Sequence, residues 1–448
     1  MAGQRRGGET RRTAHPTLWL SALGLTRVSW LPAFAGMTYI GFTVRTLFVV
    51  PAAFAGVLHV DNRMADGRPA AGFAQPYADL QLAIDRAGDG DTIYIHPGQY
   101  TAVPDTFTET LCGNCEQHRT AVAASRGFFV HDKALTLAGT GRDSVVLVTN
   151  AGYGVFFKNS RNSAITRVTI TGGRRDRDGA ATDAGIVAQH STVWVRDCVI
   201  RDNTHRPESL VVGIGGVFGR ENAELYIIGN RIENNGWDGI ALYRGATAVI
   251  TDNVIDSGRG AGIGITWDAT AIVYRNRVSR YWKGIGTFGA SRAVVRNNAV
   301  SDNLGWGIIA TGTSYMDCSN NVVYHNGNCG FGLWSPQATG RVTNCVFVHN
   351  GWRDMWVCPC VGVWNNGNPF VFPFSYNIIW ENKDGAFSGM PDVIDIDGNL
   401  AVDPGFEGEG QFVPALDSPL IDAGNPELTD PDGTRSDIGI FGGPNARR

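Results

Sequence analysis

The chain has 448 residues and a net charge of −4, and 18% of its residues are charged. Its 58 glycines are about twice the usual share, which disfavours a helical bundle because glycine costs about 1 kcal/mol per helical position relative to alanine. A hydrophobic content of 43% supports a large core and excludes a disordered chain. The weak net charge excludes a chain that binds polyanions as a whole, so nucleic acid is not an expected partner.

Residues 1–55 are predicted to be a signal or targeting segment that precedes the fold. Arg45, a short apolar run and the triplet Ala53-Phe54-Ala55 follow one another as in a secretory signal. Met37 is an alternative start, which would leave residues 1–36 untranslated. The sequence therefore predicts export, with residues 56–448 as one domain.

A transmembrane anchor over Val28–Val60 is the alternative interpretation of this segment. Arg45 lies in its middle and small residues follow, so a stable membrane span is not expected. Both interpretations place the bulk of the chain in the medium, in the periplasm or at the cell surface.

The strongest signal is a repeat of 22 or 23 residues that appears in two independent columns. One column is an asparagine after a turn, and the other is a glycine followed by an apolar residue. The columns are Asn230, Asn253, Asn276, Asn298, Asn321 and Asn344, and Gly216, Gly239, Gly262, Gly284, Gly307 and Gly330. A fixed period of this length is typical of a solenoid.

Within each repeat the local period is two, which predicts strands rather than helices. Ile240 and Leu242 alternate with Ala241 and Tyr243, for example. The asparagine turn suits a left-handed backbone conformation and lets side-chain amides bond along the axis. These features predict an all-β, right-handed parallel β-helix with 22–23-residue coils.

With these repeats, the sequence resembles proteins of the pectin-lyase-like superfamily, in particular exported bacterial β-helix repeat proteins. Tyr77–Arg86, followed by a Gly-Asp turn and a strand to Tyr100, resembles the family's short N-terminal capping helix and first coil. Ser418–Gly424 and Asp430–Gly439 resemble the tail of such proteins, which we expect from about residue 400. The resemblance implies the fold and leaves the activity open, since this superfamily includes lyases, hydrolases, epimerases and adhesins.

Three insertions interrupt the period in the turn before the Gly-Ile strand. They are Gly172–Ala184, Thr204–Gly215 and about ten residues between Asn344 and Asn377. Insertions in one turn line one side of a solenoid, which is often its binding side. We therefore expect the outer face of the Gly-Ile sheet to carry the site.

Alternation predicts which side chains face outward from that sheet. Early coils present Lys158, Gln189 and Arg220, and later coils present small residues and aromatic rings. Cations suit the carboxylate of a uronic acid, and aromatic rings suit sugar faces. The predicted catalytic residues are Lys158, His205, Arg220 and Tyr243; the predicted substrate-binding residues are Arg206, Trp237, Asp238, Trp282, Lys283, Trp306 and Trp334.

Elimination on a uronan needs a cation at the carboxylate and a positioned base, and these residue types supply both. Hydrolysis usually needs two carboxyl groups about 5–9.5 Å apart. Asp238 and Asp268 lie at opposite ends of a strand, roughly 20 Å apart at about 3.3 Å per residue. Loop acids keep hydrolysis open as the lesser alternative: Asp176, Asp178, Asp202 and Glu208.

Cofactors are left open by the sequence. Asp176-x-Asp178 and Asp430-x-Asp432 are candidates for calcium, but they lack the full EF-hand spacing, so turn acids are the favoured interpretation and no metal is required. Cys112 with Cys115 and Cys358 with Cys360 lie too far apart along a solenoid to share one zinc ion. Cys329 is expected to approach Cys358 or Cys360 closely enough for a disulfide, and Cys198 is expected to be a buried thiol.

The sequence thus predicts an exported polysaccharide-active β-helix protein, a monomer, with a lyase-type reaction on an acidic glycan. The alternative is a non-catalytic glycan-binding or cell-surface β-helix protein. The two differ in whether charged groups converge beside the aromatic residues.

Overall fold

A computed structural model of the protein describes residues 55–63, 76–112, 120–177, 179–367, 372–408 and 410–446. All of these residues belong to one compact unit, Pro51–Arg448. The predicted signal segment 1–55 lies outside the described residues except for its last residue. Cys115 and Asp178 also lie outside the described residues.

The described residues form one helix and many short strands. The helix α1 spans Leu80–Arg86. The strands, in chain order, are β1 (Val57–Val60), β2 (Thr92–Ile95), β3 (Gly98–Thr101), β4 (Asp105–Cys112), β5 (Thr120–His131), β6 (Thr136–Gly139), β7 (Val145–Val148), β8 (Tyr153–Lys158), β9 (Ser163–Thr166), β10 (Thr169–Thr171), β11 (Ala184–Gln189), β12 (Thr192–Arg196), β13 (Val199–Arg201), β14 (Gly215–Arg220), β15 (Glu224–Ile228), β16 (Arg231–Glu233), β17 (Ile240–Leu242), β18 (Thr247–Thr251), β19 (Val254–Asp256), β20 (Ala261–Trp267), β21 (Thr270–Tyr274), β22 (Arg277–Ser279), β23 (Lys283–Gly289), β24 (Arg292–Arg296), β25 (Ala299–Ser301), β26 (Ile308–Ala310), β27 (Tyr315–Ser319), β28 (Val322–Tyr324), β29 (Phe331–Leu333), β30 (Thr339–Thr343), β31 (Val346–Val348), β32 (Val363–Asn365), β33 (Phe374–Ser375), β34 (Ile378–Trp380), β35 (Phe387–Ser388), β36 (Phe406–Glu407) and β37 (Val413–Pro414).

Three long sheets run side by side, and each receives one strand from every coil. Sheet 1 has the order β1-β2-β6-β9-β12-β15-β18-β21-β24-β27-β30-β33, and sheet 2 has the order β3-β7-β10-β13-β16-β19-β22-β25-β28-β31-β34. Sheet 3 has the order β35-β32-β29-β26-β23-β20-β17-β14-β11-β8-β5-β4. Neighbours are parallel apart from β4, which runs antiparallel to β5, and the separate pair β36–β37. The predicted fold class, a right-handed parallel β-helix, is confirmed.

Stacked columns of aliphatic side chains fill the interior between the sheets. In sheet 3, Ile240 pairs in register with Ile263, which pairs with Ile285, which pairs with Ile308. All four are essentially inaccessible to solvent and belong to the main core cluster. Burial of such a side chain stabilises the fold by about 1.5–3 kcal/mol.

Buried asparagines form a ladder at one corner of the coils. The side-chain oxygen of Asn253 accepts from the backbone and side-chain N–H groups of Asn230, both at 2.9 Å. The same pattern continues through Asn276, Asn298 and Asn321. Each rung satisfies a buried amide that would otherwise be costly to desolvate.

The ladder corrects two details of the repeat. The positive φ lies on the residue before the ladder asparagine, as at Asp252 (59°) and Asn297 (53°). Asn344 is itself such a turn residue, with a φ of 54°, and Cys345 takes the ladder position beyond Asn321. The sequence alignment was wrong by one residue there, because asparagine suits both the turn and the ladder.

The two ends of the chain cover otherwise open surfaces. Helix α1 begins after Asp79, whose side chain accepts from the backbone N–H of Leu82, and it buries Leu80, Ala83 and Ile84 in the main core. The C-terminal residues Phe412, Leu420 and Ile438 cover the outer face of sheet 2 at Val322 and Val346. The outer face of sheet 3 is covered differently along its length.

Candidate functional site

The outer face of sheet 3 is divided into a covered end and an open end. The first insertion connects β10 to β11, the second connects β13 to β14, and the third precedes β32. At the covered end, Phe156, Val187 and Phe218 face away from the main core as predicted by alternation, yet they are almost fully buried in a separate cluster. Strand β4 supplies part of that cover through Phe107, whose ring lies 5.8 Å from the ring of Phe156.

Arg220 lies inside the covered end and differs from the expected ligand-accessible cation. It is 1% exposed. Its guanidinium donates to the hydroxyl of Tyr153 at 3.0 Å and to that of Thr182, and it lies 3.4 Å from the carboxylate of Glu221. Glu221 also pairs with Arg244 at 2.7 Å. Arg220 thus fastens the first insertion to the sheet.

A second buried network holds the first insertion in place. Arg175 pairs with Asp183 at 2.7 Å, and the Asp183 carboxylate also accepts from the backbone N–H of Asp176. Burial and the neighbouring Asp176 raise the pKa of Asp183 to about 7, against the opposing effect of Arg175. A Cβ at Gly152 would lie 2.7 Å from the Asp183 carboxyl, so this approach requires glycine.

The open end is an aromatic cleft with a volume of about 330 Å³. Its wall is formed by Trp282, Trp306 and Trp334, whose neighbouring ring centroids lie 5.9 and 5.5 Å apart. Trp356 of the third insertion extends this wall, with its ring 5.8 Å from that of Trp282. Trp334 is 38% exposed, so the wall presents an aromatic surface to solvent.

Lys283 enters this cleft between two rings. Its Nζ lies 4.8 Å from the ring centroid of Trp282 and 4.7 Å from that of Phe288. Burial lowers the pKa of the Lys283 amino group, and the nearby Asp238 carboxylate acts in the opposite direction. An anionic ligand group at this position would stabilise the protonated form of Lys283 and so compensate for the hydration that burial removes.

Asp238 and Lys283 approach each other across Ala261 of β20, the strand that lies between their two coils. Ala261 pairs in register with Lys283 and donates its N–H to the Asp238 carboxylate at 2.6 Å. A Cβ at Gly264 would lie 3.9 Å from Asp238 Oδ2 and 3.9 Å from Phe288 Cε2. The missing side chain of Gly264 leaves space between a carboxylate and a ring, and we call this space the Gly264 depression.

Two acidic groups beside this depression have raised pKa values. Burial raises the pKa of Asp238 to about 6, although Ala261 N–H, Lys283 and Tyr243 all favour its ionised form. Burial and the Asp238 carboxylate raise the pKa of Tyr243 well above its usual range, so the phenol stays neutral and hydrogen-bonded to Asp238. A carboxylate with a pKa near 6 is suited to act as a base at neutral pH.

The structure brings together six of the predicted site residues and leaves the others apart. Trp282, Lys283, Trp306 and Trp334 line the cleft, and Asp238 and Tyr243 adjoin it. We call this set, with Phe288 and Gly264, the Asp238–Lys283 cleft.

The remaining predicted residues lie at or beyond the covered end. Lys158 is two strands from Arg220, about 10 Å at roughly 4.8 Å per strand. His205 is exposed in the second insertion, where its carbonyl accepts from Arg175 N–H at 2.7 Å. The guanidinium of Arg206 donates to the carbonyl of Leu210. Trp237 lines a side pocket described below.

Phe288 and Gly264 belong to the site although neither was among the predicted site residues. Both stand in the outward-facing columns of the sequence, which is the signal that could have identified them. Asp183 was also missed, because it lies at the end of an insertion outside the repeat.

The predicted calcium candidates have ordinary turn roles where they are described. Asp432 accepts from Thr434, and Asp430 accepts from the backbone of Asp437 and Gly443. Asp176 accepts from Ser125 at 2.6 Å. Within the described ranges, no group of three or more His, Cys, Asp or Glu side chains is arranged to hold a metal ion.

The cysteines of the third insertion lie behind the aromatic wall. The sulfur atoms of Cys329 and Cys358 are 2.7 Å apart, and both residues are buried in one cluster with Trp306. Cys198 is a buried thiol whose pKa is raised to about 12 by burial.

Comparisons with known proteins support the fold. The family model described as "Right handed beta helix region" matches residues 215–383. The A-module of the Azotobacter vinelandii mannuronan C-5 epimerase AlgE6 is 15% identical, with coverage of 73% of this chain and 96% of that chain and a TM-score of 0.41. Pectate lyase Pel9A is 15% identical, with coverage of 86% and 96% and a TM-score of 0.39.

A third neighbour is the GH136 lacto-N-biosidase from Eubacterium ramulus, 11% identical, with coverage of 78% of this chain and 68% of that chain and a TM-score of 0.42. No curated protein matches the sequence. The family model agrees with the right-handed β-helix that the sequence predicts.

In the part of the chain that the structure describes, no helix is long and apolar enough to cross a membrane.

Proposed function

We propose that this protein is an exported lyase that cleaves an acidic polysaccharide by β-elimination in the Asp238–Lys283 cleft. The observation that carries the proposal is the convergence of Lys283, Asp238 and Tyr243 at the end of a tryptophan-lined cleft. Sugar rings stack on such walls through their apolar faces, and a lysine recognises a uronate carboxylate.

Each group has a role that its environment supports. Lys283, protonated, pairs with the uronate carboxylate and so acidifies the neighbouring C5–H bond. Asp238, ionised above a pH of about 6, removes that proton. Tyr243, whose phenol stays neutral beside Asp238, is the group to which we assign protonation of the leaving oxygen.

The step balances without a further reactant. The C5–H bond breaks and its proton goes to Asp238, the C4–O4 bond breaks, and a C4=C5 double bond forms. The Tyr243 hydroxyl proton goes to the leaving O4. The proton on Asp238 then passes to Tyr243, which restores both groups.

The experiment is incubation of the full chain with a panel of uronans while the ultraviolet absorbance of unsaturated products is followed. A rise in absorbance with one acidic glycan supports the lyase. Binding of the glycan without any product would instead favour a non-catalytic glycan-binding protein, which the aromatic wall also supports. Failure of every uronan both to bind and to react would overturn the proposal.

Export belongs to this proposal as well. It is supported by the signal-like pattern that ends at Ala53-Phe54-Ala55 and by the expectation that the substrate is a polymer outside the cell. N-terminal sequencing of the secreted protein would show whether cleavage occurs near residue 55.

A further inference from the structure

The outer face of sheet 3 carries a second cavity, which we call the side pocket. It has a volume of about 160 Å³ and lies between the first and second insertions. Its lining includes Arg175, Asp183, Val212, Trp237 and Tyr243. Its size is of the order of one sugar ring.

The side pocket and the Asp238–Lys283 cleft meet at Tyr243. This residue lines the pocket, and its hydroxyl is bonded to Asp238, which flanks the Gly264 depression. Trp237 lines the pocket directly before Asp238 in the chain. The aromatic cleft, the Gly264 depression and the side pocket therefore follow one another along the outer face.

The two ends of this path differ in exposure. Trp334 is 38% exposed and Phe288 is half-buried, whereas Tyr243 is 5% and Arg220 is 1% exposed. Beyond Tyr243 the face is filled by Phe218 and by the insertion that Arg220 fastens. The path is open at the tryptophans and closed at the insertions.

We infer that the side pocket receives the terminal sugar of an acidic polysaccharide chain, so that the protein engages its glycan by the chain end. The inference rests on the proposed function for the identity of the polymer. From the strand of Tyr243 to that of Trp334 there are four strand steps, about 19 Å at roughly 4.8 Å each, which leaves room for several sugar units. The paired Arg175 and Asp183 in the pocket lining offer donors and acceptors to the hydroxyl groups of that terminal sugar.

The test measures how many protein molecules bind each glycan chain. Asp238→Asn protein, which keeps its groove but lacks the base, is titrated calorimetrically with oligogalacturonates or oligoalginates of defined length and with the parent polymer. End recognition predicts one protein per chain at every length. A number bound that grows with chain length would overturn the inference while leaving the proposed function intact; an absence of binding to all uronans would count against both.

Two neighbouring valines provide a matched pair of variants. Val212 is half-buried and lines the side pocket, whereas Val211 is 67% exposed. Val212→Trp should fill the pocket and weaken binding of short oligosaccharides at least tenfold, and Val211→Trp should leave it within twofold. Equal thermal unfolding midpoints would show that both variants fold, and equal affinity of the two folded variants would overturn the role of the pocket.

Discussion

The covered and open ends of sheet 3 have the same strand alternation but use their outward side chains differently. At the covered end, Phe156, Val187 and Arg220 are sealed beneath β4 and the first insertion, where they stabilise the fold. At the open end, Lys283, Phe288 and Trp334 keep contact with a cleft. A residue that faces away from a β-helix core is therefore available to a ligand only where no inserted segment packs over it.

The largest expected effect lies at the boundary between the two ends. Asp238→Asn should lower turnover of the uronan substrate about 100- to 10,000-fold, the range that a general base supplies. Wild-type activity should rise as pH increases through about 6, because Asp238 must be ionised, and it should fall where Lys283 loses its proton. Steady-state rates across pH measure both limbs.

The same substitution should raise stability. Because the pKa of Asp238 is raised in the folded protein, the free energy of unfolding falls as the pH rises from about 4 to about 6. Removal of the charge should recover about 1–3 kcal/mol at pH 7 by urea denaturation. Glu233→Gln on sheet 2 is the control, and a loss of activity accompanied by lower stability would contradict a catalytic role.

At the covered end we expect loss of stability instead. Arg220→Ala leaves a cavity and removes the buried partner of the Tyr153 and Thr182 hydroxyls, while Glu221 keeps Arg244, so the loss should be about 3–5 kcal/mol in the free energy of unfolding. Lys158→Ala, half-buried on the same column, should change stability by about 0.5 kcal/mol or less. If Arg220→Ala unfolds like the wild type but loses glycan binding, Arg220 is a ligand-contacting residue after all.

A cross-link behind the open end should have the next largest effect. Cys329 and Cys358 lie 29 positions apart in the chain and place their sulfurs in contact, so we expect a disulfide in an oxidising compartment. Cys329→Ser should then lower stability by about 2–4 kcal/mol. Mass spectrometry after thiol alkylation of the exported protein detects the bond; full alkylation of both cysteines without reduction would exclude it.

The sequence was sufficient for the coils and for much of the open end. The two columns of period 22–23 and the alternation of Ile240 and Leu242 with their neighbours required no knowledge of distant contacts. The turn tryptophans Trp282 and Trp306 lie beside Lys283 because stacked coils bring corresponding positions together, whereas Trp237 lines the side pocket.

Other features depended on segments that do not repeat. The cover over Phe156 comes from β4 and the bonds of Arg220 come from the first insertion, and no period relates these segments to sheet 3. The convergence at Gly264 needs the side chains of Asp238 and Phe288 to approach it from the two neighbouring coils. Alternation predicts the face of the sheet on which a side chain lies, but it does not predict which side chains of different coils come close together.

The smallest expected effect belongs to the exposed end of the aromatic wall. Trp334 is 38% exposed and contacts Trp306 and Trp364 edge-on, so its ring can accept a sugar face without rearrangement of the core. Trp334→Ala should weaken binding of long uronan oligosaccharides by about 1–2 kcal/mol, the scale of one aromatic contact, and should affect short ones less. Trp194→Ala, whose ring stacks on Tyr226 in sheet 1, is the matched control. Calorimetric titration of both variants with oligosaccharides of increasing length measures the difference. If Trp334→Ala loses the same affinity at every length, the ligand does not extend along the tryptophan wall.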